Sequence, residues 1–251
     1  MFAEQLHIDH VTVAGQDLRV LRHALEAVGV PAEYGGAHSN HATEMALTSF
    51  PDGSYLELIA IQPKADLAAV SEHVWSKFLE GNAGPCAWAT RVEHIDEAAK
   101  PLKNGRKRPD GVQLEWETAQ VGPGNGTFFP FLIHDFTPRE LRAYPSGKPT
   151  TTKFAGITKV YIAVKNLDKA IAEYQRAYKL PVPERKDDAD FGAKLASFQG
   201  TPVVLAAPLG KSWPVERLER FGEAPCAFVL GRANPADKIT WLDPGWRLGI
   251  Q

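Results

Sequence analysis

A segment near the start of the chain returns in altered form near its middle. Residues 8–18 read IDHVTVAGQDL, and residues 157–167 read ITKVYIAVKNL. A second pair repeats Pro-Cys-Ala followed by an aromatic residue, at residues 85–88 and 225–228. Repetition at this spacing indicates a tandem duplication of supersecondary modules, and differences between the copies show which copy kept chemical groups. The chain is therefore predicted to fold as repeated modules stacked around shared space.

The composition is that of a soluble globular protein, with 44% hydrophobic and 23% charged residues among 251. A formal net charge of −2 argues against nucleic acid or an anionic membrane as the main partner. The one basic patch, residues 103–108, is predicted to be a solvated turn. Cys86 and Cys226 stand in apolar runs and are expected to be small buried hydrophobes. No targeting or membrane-spanning segment is evident, so we expect a protein of the reducing cytoplasm.

Hydrophobic periodicity predicts the order β-α-β-β-β in the first module. The strands are expected at residues 6–14, 32–35, 41–50 and 55–62. Asp17 is positioned to cap a helix over residues 18–28. A helical linker over residues 65–79 leads to a second module, with strands at 85–92, 112–121 and 128–136 and a helix at 96–102.

A stretch rich in Pro, Ser, Thr and Gly at residues 145–152 is the predicted boundary between two halves. The first domain, residues 1–144, would hold modules 6–63 and 84–136. The second, residues 153–251, would hold modules 156–208 and 224–250, with Asn166 as a helix cap and strands near 194–198 and 202–207. The last module is abbreviated, with little room for a helix beyond residues 235–239.

Four short phrases carry a resemblance to a known family: IDHV at 8–11, PDGSYLELI at 51–59, RPDGV at 108–112 and FPFLI at 129–133. Together they resemble the glyoxalase-like branch of the vicinal oxygen chelate superfamily. The resemblance implies an α+β fold, in which tandem βαβββ modules form two curled mixed sheets around cavities. In active members a divalent metal is bound by the first and fourth strands of each module. The superfamily includes isomerases, epimerases, dioxygenases, thiol transferases and drug-sequestering proteins, so fold alone does not give the reaction.

Strand pleating predicts which side chains share the cavity face. On the first strand Val11 and Val13 would cover the helix, leaving His10 and Thr12 on the opposite face with Ile8 and Ala14. On the fourth strand Tyr55, Glu57 and Ile59 would face the same cavity. An imidazole and a carboxylate then converge, which is a ligand pair for Zn²⁺, Mn²⁺, Fe²⁺ or Ni²⁺.

The paired module should supply a further ligand, and here the sequence departs from the pattern. Ala87 stands where His10 stands, and the equivalent of Glu57 is Ile133, or His134 if the register shifts by one residue. A shift of that kind exchanges the two faces of the strand. His41 is a reserve ligand, since His41, Thr43 and Met45 share one face of a strand; the alternative is a polar residue at a loop edge. The third module has Lys159 in place of His10 and no carboxylate over residues 202–205.

Glu57 is the predicted catalytic residue, because a carboxylate turned inward on an apolar strand requires a metal, a cation or a hydrogen-bond donor. Without a metal it would act as a general base on a carbon acid. The predicted substrate-binding residues are Tyr55, Thr12, Thr43, Trp88 and Phe131.

Two functions are compatible with these residues. The first is a metal-dependent enzyme of glyoxalase or dioxygenase type acting on a small oxygenated substrate. The second is a metal-free protein whose aromatic-lined cavity binds a hydrophobic or antibiotic-like molecule. In both, the partner is a small molecule and the protein is a monomer or a homodimer.

Overall fold

The computed structural model of the chain describes residues 6–95, 100–108, 110–122, 125–236 and 238–251. Within these ranges the strands form one sheet of eight and one of seven. The strands of the first sheet are β1 (His7–Ala14), β2 (Glu33–Ala37), β3 (Thr43–Ser49), β4 (Tyr55–Ile61), β5 (Gly84–Arg91), β6 (Leu102–Lys107), β7 (Gln113–Gln120) and β8 (Phe131–Asp135). Those of the second are β9 (Gly156–Ala163), β10 (Glu184–Asp188), β11 (Ala193–Ser197), β12 (Val203–Pro208), β13 (Ala224–Gly231), β14 (Thr240–Leu242) and β15 (Arg247–Ile250).

Short helices cover the sheets and connect their modules. They are α1 (Leu18–Ala27), α2 (Leu67–Glu72), α3 (Arg139–Ala143), α4 (Leu167–Tyr178) and α5 (Trp213–Phe221), with a 3-10 turn at Ser76–Phe78. The Asp17 side chain accepts a hydrogen bond from the backbone N–H of Arg19 and so caps α1. The Asn166 side chain caps α4 in the same way through Lys169. Both predicted caps are confirmed.

The strand order shows the duplication directly. The first sheet runs β2-β3-β4-β1-β5-β8-β7-β6, and the second runs β10-β11-β12-β9-β13-β15-β14. In each sheet the first strand of one module pairs with the first strand of the next, β1 with β5 and β9 with β13. The predicted α+β class, with two curled mixed sheets and a shorter second half, is confirmed.

A β-bulge near the start of β1 places Asp9. Ile8 and His10 pair with the adjacent residues Thr90 and Ala89 of β5, so Asp9 is an extra residue in the ladder. A bulge interrupts strict alternation and re-aims the neighbouring side chains. The second sheet has the same irregularity at the matching place, where Thr158 is the extra residue. The predicted strict alternation across residues 8–10 is therefore wrong. Ile8, which was expected on the same face as His10, belongs instead to the main hydrophobic core.

The edge strands were the elements most often missed. The basic patch at residues 103–108 is mostly strand β6, paired with β7, and not the predicted turn. Strand β10, with the sequence ERKDD, is an edge strand of the second sheet that sequence patterning did not indicate. Both lack the apolar alternation of a half-buried strand, because charged residues protect exposed sheet edges from pairing with other chains.

Helix predictions succeeded unevenly. Of the helix predicted at 96–102, residues 96–99 lie outside the described residues. The last residue of that range, Leu102, begins strand β6. The linker predicted as helical over 65–79 contains α2 and the 3-10 turn. Helices α3 and α5 were not predicted, although Ser212 and Pro214 around the start of α5 are a recognisable helix-start signal.

The main core lies between the helices and the sheets, and the two cysteines belong to two smaller hydrophobic clusters, one for each sheet. Cys86 and Cys226 are both free and fully buried, as expected. Burial raises the pKa of the Cys226 thiol to about 12. Of the helices in the described part of the chain, none is long and apolar enough to span a membrane.

Candidate functional site

The curled first sheet encloses a cavity of about 320 Å³. Its lining residues come from six strands (β1, β3, β4, β6, β7 and β8), from the loop after β2 and from helix α3. The residues that line it are His10, His38, Ser39, Asn40, Met45, Leu47, Tyr55, Glu57, Asn104, Gly105, Arg106, Trp116, Thr118, Phe131, Ile133 and Arg142. A small cavity with an apolar body and a few fixed polar groups is typical of a small-molecule site.

His10 lines this cavity, and Asp9 is buried beside it and pairs with its imidazole. Asp9 Oδ1 lies 2.6 Å from His10 Nδ1, and the two side chains are 0% and 5% exposed. The imidazole of His10 stacks on Tyr55 with ring centroids 4.8 Å apart, and Phe131 meets it edge-on. The hydrogen bond to an ionised Asp9 requires a proton on Nδ1, and Nε2 is the ring nitrogen that faces Glu57.

Two arginines of helix α3 keep Asp9 ionised. Arg142 donates to both Asp9 oxygens at 3.1 and 2.8 Å, and Arg139 donates to Oδ2. Burial opposes ionisation, but Arg142, the His10 hydrogen bond and Arg139 hold the pKa of Asp9 well below its usual range. Both arginines also contact Asp135, so two carboxylates balance two guanidinium groups.

Glu57 faces the cavity beside two imidazoles. His10 Nε2 lies 3.7 Å from Glu57 Oε2, and His38 Nε2 lies 3.7 Å from Oε1. Thr12 Oγ1 donates a hydrogen bond to Glu57 Oε2 at 3.3 Å and so fixes the position of the carboxylate. The predicted convergence of His10, Thr12 and Glu57 on one face is confirmed. His38 is a neighbour that the sequence analysis did not identify.

His38 is held on the loop that follows β2. Its Nδ1 lies 2.8 Å from Thr43 Oγ1, which leaves Nε2 directed at Glu57. Burial lowers the pKa of His38, and the nearby Glu57 carboxylate opposes that shift. Thr43 was predicted to contact substrate, but it is fully buried behind His38 and positions that ring.

Three predicted residues lie away from the cavity. His134 Nδ1 meets the carbonyl oxygen of Val92 at 3.1 Å, while the adjacent Ile133 lines the cavity, so the register does not shift. His41 is exposed, with a positive φ of 58°, and ends the turn before β3. Trp88 is fully buried in the helix-side core. These positions are corrections to the predicted ligand and substrate sets.

Comparison with known proteins fixes the family. The sequence model described as a glyoxalase-like domain matches residues 8–178, which is more than half of the chain. The chain belongs to this glyoxalase-like family. It is thereby a member of the vicinal oxygen chelate superfamily. No curated protein matches the chain.

Solved structures extend the comparison of folds. A hypothetical protein from Staphylococcus aureus is similar with a TM-score of 0.67 and 13% identity, covering 98% of each chain. A mutant of 4-hydroxymandelate synthase from Streptomyces coelicolor is similar with a TM-score of 0.53 and 12% identity, covering 91% of this chain and 71% of that one. Methylmalonyl-CoA epimerase from Mycobacterium tuberculosis has 18% identity and a TM-score of 0.34, covering 40% of this chain and 89% of that one. At 13% and 12% identity, the likeness to the first two of these structures shows the fold alone.

The superfamily implies a divalent metal, and the donor set of this glyoxalase-like protein does not fit one as arranged. In the ranges the structure describes, no group of three His, Cys, Asp or Glu side chains is placed to hold an ion. His10 and His38 each approach a different oxygen of Glu57, so the carboxylate stands between the imidazoles. The paired module contributes Ile133 to the cavity. Its equivalent of His10 is Ala89, because Ala89 pairs with Phe131 across β5 and β8 in the way that His10 pairs with Tyr55 across β1 and β4. That alanine, like the predicted Ala87, has no donor atom.

The second sheet encloses a larger cavity of about 630 Å³, lined in part by Lys159 and Tyr161. In the second sheet Tyr161 pairs with Val204, and these two residues occupy the positions that Thr12 and Glu57 occupy in the first sheet. The carboxylate and its hydroxyl donor are thus replaced by a valine and a tyrosine, as the sequence indicated for this copy. We therefore place the candidate chemistry in the smaller cavity.

Proposed function

We propose that this glyoxalase-like protein is an enzyme that moves a proton at a carbon adjacent to a carbonyl group of a small oxygenated substrate. The observation that supports it is the alignment of Asp9, His10 and Glu57, in which a buried ionised carboxylate orients an imidazole toward a second carboxylate in a cavity. Such pairs of titratable groups are typical of general acid–base catalysis.

In this proposal Glu57 is the catalytic residue that takes the proton. It accepts the proton from the substrate carbon, and the electron pair moves into the carbonyl group to give an enolate. The proton then returns to the same carbon or to its neighbour, either from Glu57 or through His10 Nε2 at 3.7 Å. His10 lies between the Asp9 and Glu57 carboxylates and is therefore placed to relay the proton. Tyr55 and Phe131 orient the imidazole by packing against it.

The metal-dependent form of this activity is not the one we propose, because the three nearest donors do not converge on one point. The proposal needs no ion, since every step uses side chains of this chain. We expect the protein to act in the cytoplasm as a monomer or a homodimer.

Deuterium exchange tests the proposed chemistry. Small 2-oxo acids, 2-hydroxy ketones and 2-methyl-branched acyl thioesters would be incubated with the protein in D₂O and followed by proton NMR. We expect loss of the signal from the proton next to the carbonyl of at least one compound. Glu57→Gln should abolish the exchange and His41→Gln, on the exposed turn, should leave it unchanged. Exchange that survives in Glu57→Gln would refute the role of Glu57.

A second candidate is a metal-free binding protein in the same cavity. It is favoured by the paired module, where Ala89 and Ile133 offer no polar group opposite His10 and Glu57. Thermal stabilisation by a hydrophobic ligand, unchanged by a chelator and without turnover in any variant, would support this alternative.

A further inference from the structure

Arg106 lies where the two edges of the first sheet meet. It belongs to edge strand β6, and its Nη1 donates to the carbonyl oxygen of Gly35, on edge strand β2, at 3.2 Å. The same guanidinium lines the cavity that holds Glu57. The sheet is therefore curled so far that one side chain spans the gap between its edges and forms part of the cavity wall.

The donors of Arg106 are mostly unused, in contrast to those of Arg142. A guanidinium carries five N–H donors. Arg142 directs its donors to Asp9, Asp135 and the hydroxyl of Tyr55. Among the described residues Arg106 makes one hydrogen bond, to Gly35, and no ion pair with a carboxylate.

Arg106 is also partly withdrawn from water. Burial lowers its pKa, while Tyr55 and Glu57 oppose that shift. A partly desolvated guanidinium is stabilised by a planar anion that accepts two parallel hydrogen bonds. The cavity side of Arg106 therefore has the charge and the free donors of an anion receptor.

We infer that Arg106 binds the anionic group of the ligand and that the ligand is a small organic carboxylic acid. The carboxylate lies on Arg106, the apolar body lies against Trp116, Phe131 and Ile133, and the far end faces Glu57 and His10. The assignment of the reacting end rests on the proposed function, whereas the anion receptor does not. The cavity volume of about 320 Å³ suits a compact acid.

Benzoate and benzamide test this inference as matched probes, because they share size and ring but differ in charge. Titrations of the full chain at neutral pH, followed by calorimetry or ligand-observed NMR, should show benzoate binding about tenfold more tightly than benzamide. The preference should vanish in Arg106→Gln and persist in weaker form in Arg106→Lys, which keeps the charge but loses the planar fork. Lys107→Gln is the control, since it removes the same charge from the exposed side of β6.

Each outcome decides the inference. Equal binding of the two probes, no saturable binding of benzoate, or a preference that survives Arg106→Gln in a folded variant would overturn it. Glu57→Gln separates this inference from the proposed function, because benzoate binding should be retained or strengthened there while proton exchange is lost. A result in which only the proton exchange fails therefore bears on the proposed function. A result in which only the preference for benzoate fails bears on Arg106 as the anion receptor.

Discussion

Asp9 and His10 are neighbours in one strand, yet their side chains meet, with Asp9 Oδ1 2.6 Å from His10 Nδ1. In a regular strand successive side chains point to opposite faces. The bulge at Asp9 removes that alternation and brings the carboxylate to the side of the imidazole. The orientation of His10 in the cavity thus depends on one extra residue in the β1–β5 ladder.

The buried network around Asp9 should be essential for stability. Asp9→Asn leaves Arg139 and Arg142 without part of their counter-charge in a buried site, and we expect the free energy of unfolding to fall by about 3–5 kcal/mol. Urea denaturation followed by circular dichroism measures this. The control is Asp17→Asn, which should change stability by less than about 0.5 kcal/mol, since Asn also caps helices. Equal effects of the two substitutions would contradict the network's role.

Acid should destabilise the protein through His38. Burial lowers the pKa of His38 in the folded state relative to the unfolded chain, where it is about 6.5. The folded state then binds fewer protons, so the contribution is present above pH 6.5 and is lost as the pH falls through that value toward the folded pKa. Unfolding free energies measured between pH 7 and pH 5 should decline less steeply for His38→Asn than for the wild type. Ser39→Asn, on the same loop and without a titratable group, should keep the wild-type slope.

Arg217 should hold the two sheets together. Its guanidinium donates to the carbonyl oxygens of Ala83, just before β5, of Pro85 on β5 and of Pro225 on β13. Arg217→Met leaves these buried carbonyls without a charged donor and should lower the free energy of unfolding by about 3 kcal/mol. Denaturant melts of Arg217→Lys should show an intermediate loss. Arg220→Met, on the exposed side of α5, should lie within about 0.5 kcal/mol of the wild type.

Divalent metals should leave the thermal stability of the protein unchanged. Because Glu57 stands between His10 and His38, we expect no shift of the melting temperature with Zn²⁺, Mn²⁺, Fe²⁺ or Ni²⁺, and none with a chelator. Elemental analysis of untreated protein and thermal melts check this. One equivalent of metal that is lost in His10→Ala would restore the metal-dependent interpretation.

Some of the site was predictable from local pattern. The alternation in residues 55–59 and 10–12 was sufficient to place Tyr55, Glu57, His10 and Thr12 on the cavity face, because pleating acts over two residues at a time. His38 and Arg106 were not identified, since each stands in a polar segment whose local pattern resembles a loop. Both reach the cavity only because the sheet curls until its edges are close.

The sequence by itself determined the duplication, the α+β class and the pair formed by His10 and Glu57. These features depend on repeats and on apolar periodicity, which the chain carries locally. The tertiary structure decided which further groups join the pair: it directed His134 toward Val92, buried Trp88, placed Asp9 against the imidazole of His10, and brought Arg142 and Arg106 to the cavity wall. The physical reason is that a bulge, a short helix and the closure of a curled sheet depend on contacts between residues far apart in the chain, and no local pattern encodes those contacts.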